Sequence, residues 1–370
     1  MPDKFTETTR ISYGSRISGS FGAIFFGILL LIGGAVLLWW NEARTIDQAQ
    51  ALEEGLSIVQ PLETPTFDPQ NNTKLIAVQG TLIGASLTDP MFSVTNDAVK
   101  LERHVQMYQW RENTSEQRHE KIDGSIEVEK TYEYVKDWSQ IPINSSSFKH
   151  PTDHQNPEMP FRSQSFTANV KLGNFQLSQS MVGDLDGWTH LSITRFKSNL
   201  PQAQLATGYI YVGGNPHQPE IGDIKITYLY IPSEKDYTVI AKQDNRLLTP
   251  YTASNGNRIA FAKQGIHSPQ ELFSEAQSDN RFMAWLLRAI GLFVLFFSFI
   301  LIMAPVQTIL SIIPILGSVI GAGTFFIAIL LTLLVGGGII AIAWFAQRPL
   351  ISFSILAAIL LMVFLGKRRK

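Results

Sequence analysis

The chain has 370 residues, with 30 Lys and Arg against 31 Asp and Glu, no Cys and a formal net charge of −1. This balance argues against a nucleic-acid partner, because phosphate binding needs a basic excess clustered on one face. Without cysteine the chain forms no disulfide and offers no thiolate nucleophile or Cys-ligated metal. Only 16% of the residues are charged, against about 25% in ordinary soluble domains, which is typical of an integral membrane protein. No cofactor is predicted.

The first long apolar run lies near the N-terminus. Residues 21–40 contain no charged side chain, and a helix of this length crosses a hydrocarbon core about 30 Å thick. A cleaved secretory signal usually has a shorter apolar region that ends in small residues. Here the run ends in Trp39 and Trp40, and tryptophan settles at membrane interfaces. We therefore predict an uncleaved transmembrane helix, preceded by an N-terminal tail over 1–20.

The polar segment 41–283 is predicted to form one large β-rich domain. Within residues 125–136, Ile126, Val128, Tyr132 and Tyr134 alternate with polar residues, as in a strand with one buried face. Asp123-Gly124 lies directly before this run and predicts a tight hairpin turn. Further β-rich runs occupy 74–83, 101–110, 207–212, 224–231 and 237–242.

Helical arms are predicted at both ends of this domain. Residues 41–56 are rich in Ala, Glu, Gln and Leu, so the first helix should continue beyond the membrane. Before the second apolar run, Ser268, Pro269 and Glu271 have the spacing of an N-cap, a first helical residue and a capping box. This second arm is expected to run into the next span unless residues 278–280 interrupt it.

The C-terminal third contains three further apolar runs. Residues 284–304, 319–346 and 350–365 are predicted to be the second, third and fourth transmembrane helices. The uncharged, proline-containing segment 305–318 between two of them predicts an interfacial or re-entrant piece on the cytoplasmic side. Residues 366–370 form a basic tail. The predicted fold is an α+β membrane protein, with four transmembrane helices and an antiparallel β-rich domain inserted between the first and second.

The distribution of basic residues predicts the orientation of the chain. Lys4, Arg10 and Arg16 precede the first span, whereas Arg44 is the only base close after it. Because cytoplasmic flanks carry the excess of Lys and Arg, both termini are expected in the cytoplasm. The domain 41–283 then lies in the periplasm or a lumen.

Arg288 is the only charged residue inside the second predicted span. An intramembrane charge with a partner indicates a functional site, but none of the predicted spans contains Asp or Glu. The favoured interpretation is that Arg288 extends to the membrane surface beside Trp285. The predicted membrane-interface residues are Trp39, Trp40, Trp285, Arg288, Trp344 and Arg348.

The group closest to a catalytic or metal site is His150, Asp153 and His154. Two imidazoles and a carboxylate can ligate a metal, but these residues lie in a proline-containing segment without an evident additional ligand. A polar loop is therefore favoured over a metal site. No nucleophile elbow, phosphate-binding loop or dinucleotide fingerprint is present, so no catalytic residue is predicted.

Several stretches together resemble the LUMA family, also called the transmembrane protein forty-three family. They are residues 41–44, 52–59, 98–110, 219–223, 238–242 and 348–350. The stretch 98–110 is the most specific, and it supplies the outer-domain candidate residues Arg103, His104, Tyr108 and Trp110.

The resemblance implies the same layout of one span, a large outer domain and three further spans. Animal members belong to the endoplasmic reticulum and inner nuclear membrane, are linked to lamins and emerin, and self-associate, and the family has no established catalytic residue set. The absence of Cys and the short N-terminal tail differ from the animal pattern and suggest a bacterial relative. In a cell without lamins the nuclear role does not apply. The expected location is the inner membrane of a bacterium, or the endoplasmic reticulum and inner nuclear membrane of a eukaryote.

These observations predict a non-enzymatic, self-associating membrane scaffold. Its expected partners are membrane lipids, further copies of the chain and an unidentified membrane, periplasmic or lumenal protein. One alternative is a lipid-binding or transport-related protein, with a cavity enclosed by Arg288, the segment 305–318 and the third span. A metal-dependent hydrolase that uses His150 and His154 is the remaining alternative.

Overall fold

The computed structural model of the chain describes residues 3–121, 124–197, 200–310 and 314–347. Its internal contacts divide the chain into two compact units. We call one the β unit, which comprises 1–7, 54–116 and 130–273, and the other the helical unit, which comprises 8–53, 117–129 and 274–370.

The long helices carry the apolar runs. The helices are α1 Tyr13–Ile58, α2 Gln179–Gly183, α3 Pro269–Leu310 and α4 Pro314–Gln347. Among the described residues, three helices are long and apolar enough to cross a membrane, namely Tyr13–Ile58, Pro269–Ile309 and Gly321–Gln347. The predicted fourth span, 350–365, and the basic tail lie outside the described residues.

Both predicted helical arms are continuous with the apolar helices. Helix α1 runs without a break through residues 41–56. Helix α3 begins at the predicted cap, where the Ser268 amide donates to Glu271 Oε2 (2.9 Å) and the Glu271 amide donates to Ser268 Oγ (3.2 Å). It also continues through residues 278–280, where the sequence allowed a break, and through Pro305.

Small residues allow the helices of the helical unit to approach closely. A Cβ atom built on Gly291 of α3 would lie 2.5 Å from Leu38 Cδ2 of α1. Gly336 of α4 faces Leu292 of α3 with equally little space for a side chain. Such positions are typical of membrane helix packing, in which glycine permits close contact between helices. The core of this unit consists of Leu38, Leu295, Phe299 and Ala328.

The strands confirm the predicted β-rich, mainly antiparallel architecture. In chain order they are β1 Asp3–Ile11, β2 Gln60–Pro61, β3 Leu75–Ile83, β4 Ala85–Asp89, β5 Val94–Glu120, β6 Ile126–Ser139, β7 Gln164–Thr167, β8 Lys171–Leu172, β9 Phe175–Leu177, β10 Thr189–Leu191, β11 Ala203–Ala206, β12 Tyr209–Val212, β13 Ile224–Pro232, β14 Lys235–Asp244, β15 Leu247–Thr249, β16 Tyr251–Thr252, β17 Arg258–Ile259 and β18 Phe261–Gln264. The five β-rich runs correspond to β3, β5, β12, β13 and β14.

Two large sheets organise these strands. The nine-stranded sheet has the order β1-β6-β5-β13-β12-β11, with β4 and β7 also paired to β5 and β10 to β13. The seven-stranded sheet has the order β18-β14-β15-β9-β8-β3-β2, with an additional β14–β3 pairing. Strands β16 and β17 form a separate antiparallel pair. Parallel pairing is confined, among the described pairs, to β2 with β3 and β9 with β15.

The side-chain period of a strand explains the core. In β5, Leu101, Arg103, Val105 and Met107 are buried while Glu102, His104 and Gln106 are partly exposed, because successive residues of a strand point to opposite faces. Val105 pairs with Ile226 of β13 in the register of the sheet. The turn before β6 contains Gly124 with φ 74°, in the left-handed region that glycine tolerates.

Candidate functional site: a buried charge pair between two membrane helices

Glu42 and Arg288 form a charge pair between α1 and α3. Arg288 Nε donates to Glu42 Oε1 (2.6 Å), and Arg288 Nη2 donates to Glu42 Oε2 (2.8 Å). The two parallel bonds match the fork of a guanidinium to a carboxylate. Glu42 is 1% exposed, so its charge is balanced by the protein rather than by water.

Two asparagines next to this pair tie each helix to the backbone of the other. Asn41 Nδ2 donates to the Ala284 carbonyl (3.1 Å), and Asn280 Nδ2 donates to the Thr45 carbonyl (2.9 Å). Each helix thus donates one of these hydrogen bonds and accepts the other. This is possible because Asn41 and Thr45 are four residues apart on α1, as are Asn280 and Ala284 on α3. Residues four apart share one face of a helix.

The cluster is organised to hold two helices together. The carboxylate is occupied by Arg288, so it is not presented to a substrate. Asn41 Oδ1 and Asn280 Oδ1 are buried without a hydrogen-bond partner, and bound water commonly satisfies such acceptors. The arrangement therefore acts chemically as a polar clamp between helices.

The expectation that Arg288 lacks an acidic partner is wrong. Glu42 lies just beyond the apolar run 21–40, so a count of charges within the predicted spans omits it. The continuation of α1 past Trp40 brings Glu42 against α3. The signal was nevertheless available, because residues 41–56 were predicted to be helical and antiparallel neighbours align their ends.

Three of the four predicted interface tryptophans are exposed on the helical unit. Trp39, Trp40 and Trp285 expose 42%, 52% and 68% of their surface. The Arg288 guanidinium lies 4.9 Å from the centre of the Trp285 ring, a distance typical of a cation–π contact. Trp344 is half-buried, and Arg348 lies outside the described residues. Their placement at the membrane interface stays a prediction.

Arg103, from the family-like stretch, belongs to a buried network in the β unit. Arg103 Nη1 donates to Asp89 Oδ2 (2.6 Å), and the Tyr228 hydroxyl donates to the same oxygen (2.5 Å). The remaining guanidinium nitrogens donate to the Arg162 carbonyl and to Gln164 Oε1. Asp89 and Arg103 are almost fully buried, and a buried charge of this kind is stable only when it is paired.

Burial and the neighbouring Asp89 carboxylate, in that order, raise the pKa of Tyr228 above its ordinary value. The hydroxyl therefore stays protonated at neutral pH and remains a hydrogen-bond donor. The network fixes β4, β5 and β13 relative to one another, which indicates a structural role for Arg103.

The other three residues of the stretch lie on the same strand but do not converge on a pocket with Arg103. His104 Nε2 is 3.3 Å from Glu102 Oε2. Tyr108 packs its ring against Trp138, with ring centres 5.3 Å apart. Trp110 approaches His154 edge-on at 4.8 Å, so the structure joins one family-like residue to the histidine cluster.

The structure gives His154 two acceptors within the protein. Its Nδ1 lies 2.8 Å from the His150 carbonyl, and its Nε2 lies 3.2 Å from Asp3 Oδ2. The ring stacks on Tyr134 with centres 3.8 Å apart. Among the described residues, no group of three His, Asp or Glu side chains could hold a metal ion, and Asp153 contributes to none. No local pattern links Asp3 or Tyr134 to His154, because neither is a near neighbour of His154 along the chain.

Comparison with known proteins decides the family. The Transmembrane protein 43 family matches residues 107–349. The chain belongs to the Transmembrane protein 43 family. It is 30% identical to Transmembrane protein 43 of Mus musculus over 365 residues, which cover 94% of this chain and 90% of the mouse protein.

Further relatives extend the family match. The Homo sapiens protein is 29% identical over 384 residues, covering 99% of this chain and 94% of the human protein. The Drosophila melanogaster homolog of Transmembrane protein 43 is 25% identical over 346 residues, covering 90% and 91%. The resemblance recognised in the sequence is thereby confirmed. No solved structure matches the chain.

Proposed function

We propose that this Transmembrane protein 43 family member is a non-enzymatic membrane scaffold that self-associates and holds partner proteins through its β unit. The observation that carries the proposal is the apolar surface of the membrane helices. Phe25 and Phe26 of α1, Phe293 of α3, and Phe326 and Leu334 of α4 are 63–72% exposed. Side chains of this kind need lipid or further helices around them.

The engagement of the buried charges also supports a structural role. Glu42 is bound by Arg288, and Asp89 is bound by Arg103 and Tyr228. Catalytic groups, in contrast, are usually held ready for a substrate with a perturbed pKa in an open cleft. No observation on the described residues favours the lipid-binding or hydrolase alternatives.

The proposed orientation places both termini in the cytoplasm and residues 41–283 in the periplasm or a lumen. It rests on the basic residues that flank the first span and on the basic C-terminal tail. The corresponding location is the bacterial inner membrane, or the endoplasmic reticulum and inner nuclear membrane in a eukaryote.

Self-association is tested by purifying the full chain in native-lipid particles and measuring the mass of intact complexes during stepwise delipidation. A scaffold predicts a discrete oligomer, or a complex with a membrane or lumenal protein, that survives removal of bulk lipid. A strictly monomeric chain with no co-purifying protein contradicts the proposal. Circular dichroism on the same samples confirms that the helices persist through delipidation.

A further inference from the structure

The first residues of β1 contact the rest of the β unit through side chains at alternate positions. Asp3 Oδ2 lies 3.2 Å from His154 Nε2, and Glu7 Oε2 lies 3.0 Å from Lys149 Nζ. Between them, the Phe5 ring lies 4.2 Å from the His150 ring, centre to centre. Residues 3, 5 and 7 share one face of a strand. The side chains along this face are therefore acidic, aromatic and acidic in turn.

The surface that receives these side chains is built from buried groups. His154 and Tyr134 are each 1% exposed, and their rings stack. The Tyr134 hydroxyl donates to Glu112 Oε2 (2.6 Å) and accepts from the His150 amide (2.9 Å). Burial, followed by the hydrogen bond to Glu112, raises the pKa of Tyr134 to about 12. The hydroxyl is therefore protonated at neutral pH, and its bonds to Glu112 and to the His150 amide do not involve β1.

The strand itself is weakly buried. Phe5 and Asp3 expose 36% and 52% of their surface, and most of β1 is exposed along its length. Its outer edge has no partner strand in the described sheet order. A strand that adds to a sheet edge through backbone bonds and alternate side-chain pockets is how many domains bind extended peptides. The contrast between buried, hydrogen-bonded receiving groups and an exposed strand favours an exchangeable ligand at this edge.

We propose that the edge of β6, together with Lys149, His150 and His154, is a strand-addition site for an extended peptide of a partner protein. The peptide carries an acidic, an aromatic and a second acidic residue at alternate positions. Strand β1 is an internal competitor for this site. The side chains are complementary, since the Lys149 ammonium faces the Glu7 carboxylate and His154 Nε2 lies within hydrogen-bond distance of Asp3 Oδ2. The proposal rests on the proposed function, because it names the surface through which the β unit holds its partner.

The orientation argument also favours a partner as occupant. Strand β1 precedes α1 in the chain, whereas β6 follows it. When α1 crosses the membrane, residues before and after it lie on opposite sides, so β1 of the same chain competes for the site in detergent but not in the membrane. A peptide on the side of residues 41–283 then has free access to the site.

The test uses a fluorescent peptide with the sequence of residues 3–11, DKFTETTRI, and the full chain in detergent. Binding is measured by fluorescence anisotropy for the natural chain and for Asp3→Asn/Phe5→Ala, which weakens the internal competitor. We expect the variant to bind the peptide at least about tenfold more tightly, since it loses one charged and one aromatic contact of the competitor. Thr8→Ala, outside the three contact positions, is the matched control and should bind like the natural chain.

Changes in the peptide avoid any effect on folding. Two altered peptides carry Asn for the first acidic residue or Ala for the aromatic residue. Each should bind the Asp3→Asn/Phe5→Ala variant about tenfold more weakly than the unaltered peptide does. The proposal is overturned when the unaltered peptide shows no saturable binding to Asp3→Asn/Phe5→Ala, although this variant unfolds at the same temperature as the natural chain. It is also overturned when the altered peptides bind as tightly as the unaltered peptide. If the chain forms a stable oligomer but does not bind the peptide, the strand-addition site is refuted and the scaffold proposal stands. A monomer that binds the peptide but co-purifies no protein contradicts the scaffold and leaves the site intact.

Discussion

Replacing Arg288 with methionine tests whether the pair with Glu42 stabilises the helical unit. The Arg288→Met variant leaves the Glu42 carboxylate buried without its cation, and loss of one partner from a buried ion pair costs about 3–5 kcal/mol. Replacing Glu42 instead should destabilise the helical unit less, because the Arg288 side chain is 20% exposed. Glu42→Met should cost about 1–3 kcal/mol, since a guanidinium that reaches water is left only partly unpaired.

The double variant Glu42→Met/Arg288→Met separates pairing from simple loss of a side chain. Two apolar residues in place of a buried pair are often neutral or stabilising, so the double variant should unfold within about 1 kcal/mol of the natural chain. Free energies of unfolding are measured with denaturant in one detergent, using the helical circular-dichroism signal. Arg281→Met, at an exposed position of α3, is the matched control and should change stability by about 0.5 kcal/mol or less.

A double variant that loses the sum of the two single effects would refute this reasoning, because additive losses mean that the two residues do not depend on each other. Single variants within the range of the control would refute it as well. A large coupling free energy between the two substitutions, in contrast, means that the contact between Glu42 and Arg288 itself stabilises the helical unit.

Three further changes test other parts of the structure. Tyr228→Phe removes a donor to a buried carboxylate and should cost about 1–3 kcal/mol in the same unfolding assay. Gly291→Leu overfills a close helix contact and should cost about 1–3 kcal/mol or more, whereas Gly338→Ala, where a Cβ meets nothing within 4 Å, should have little effect. Thr6→Cys/Thr131→Cys should form an intrachain disulfide in detergent, visible as a mobility shift without reductant, because the two hydroxyl oxygens lie 3.2 Å apart and the chain has no cysteine of its own.

The apolar helices and the regular strands could be predicted because their signals are local. The alternation over 125–136 and the glycine at position 124 predict β6 and its turn from a dozen consecutive residues. The far part of β5 could not be predicted in the same way. Residues 111–120 are almost entirely polar, so no hydrophobic period marks them, and backbone pairing within the sheet maintains the strand.

The candidate site illustrates the second limit of sequence reasoning. Arg288 and Trp285 were singled out because an intramembrane charge beside an aromatic residue is unusual. Glu42 was missed because it lies just beyond the apolar run 21–40 and its partner lies 246 residues away, so the pair is found only when the ends of α1 and α3 are aligned with each other. Asp3 was missed for the same reason, since a short polar tail gives no hint of a histidine 151 residues away.

The pairing of β1 with β6 and the proposed orientation make opposite demands on one chain. Residues 3–7 contact the rest of the β unit, while a crossing α1 would place residues 1–20 across the membrane from 41–283. The Thr6→Cys/Thr131→Cys pair decides between them in intact membranes. An intrachain disulfide formed there refutes the orientation, because cysteines on opposite faces of a bilayer cannot meet. Its absence in membranes, together with its formation in detergent, means that the strand-addition site is vacated when the chain is embedded, which is the state in which a partner's peptide must bind.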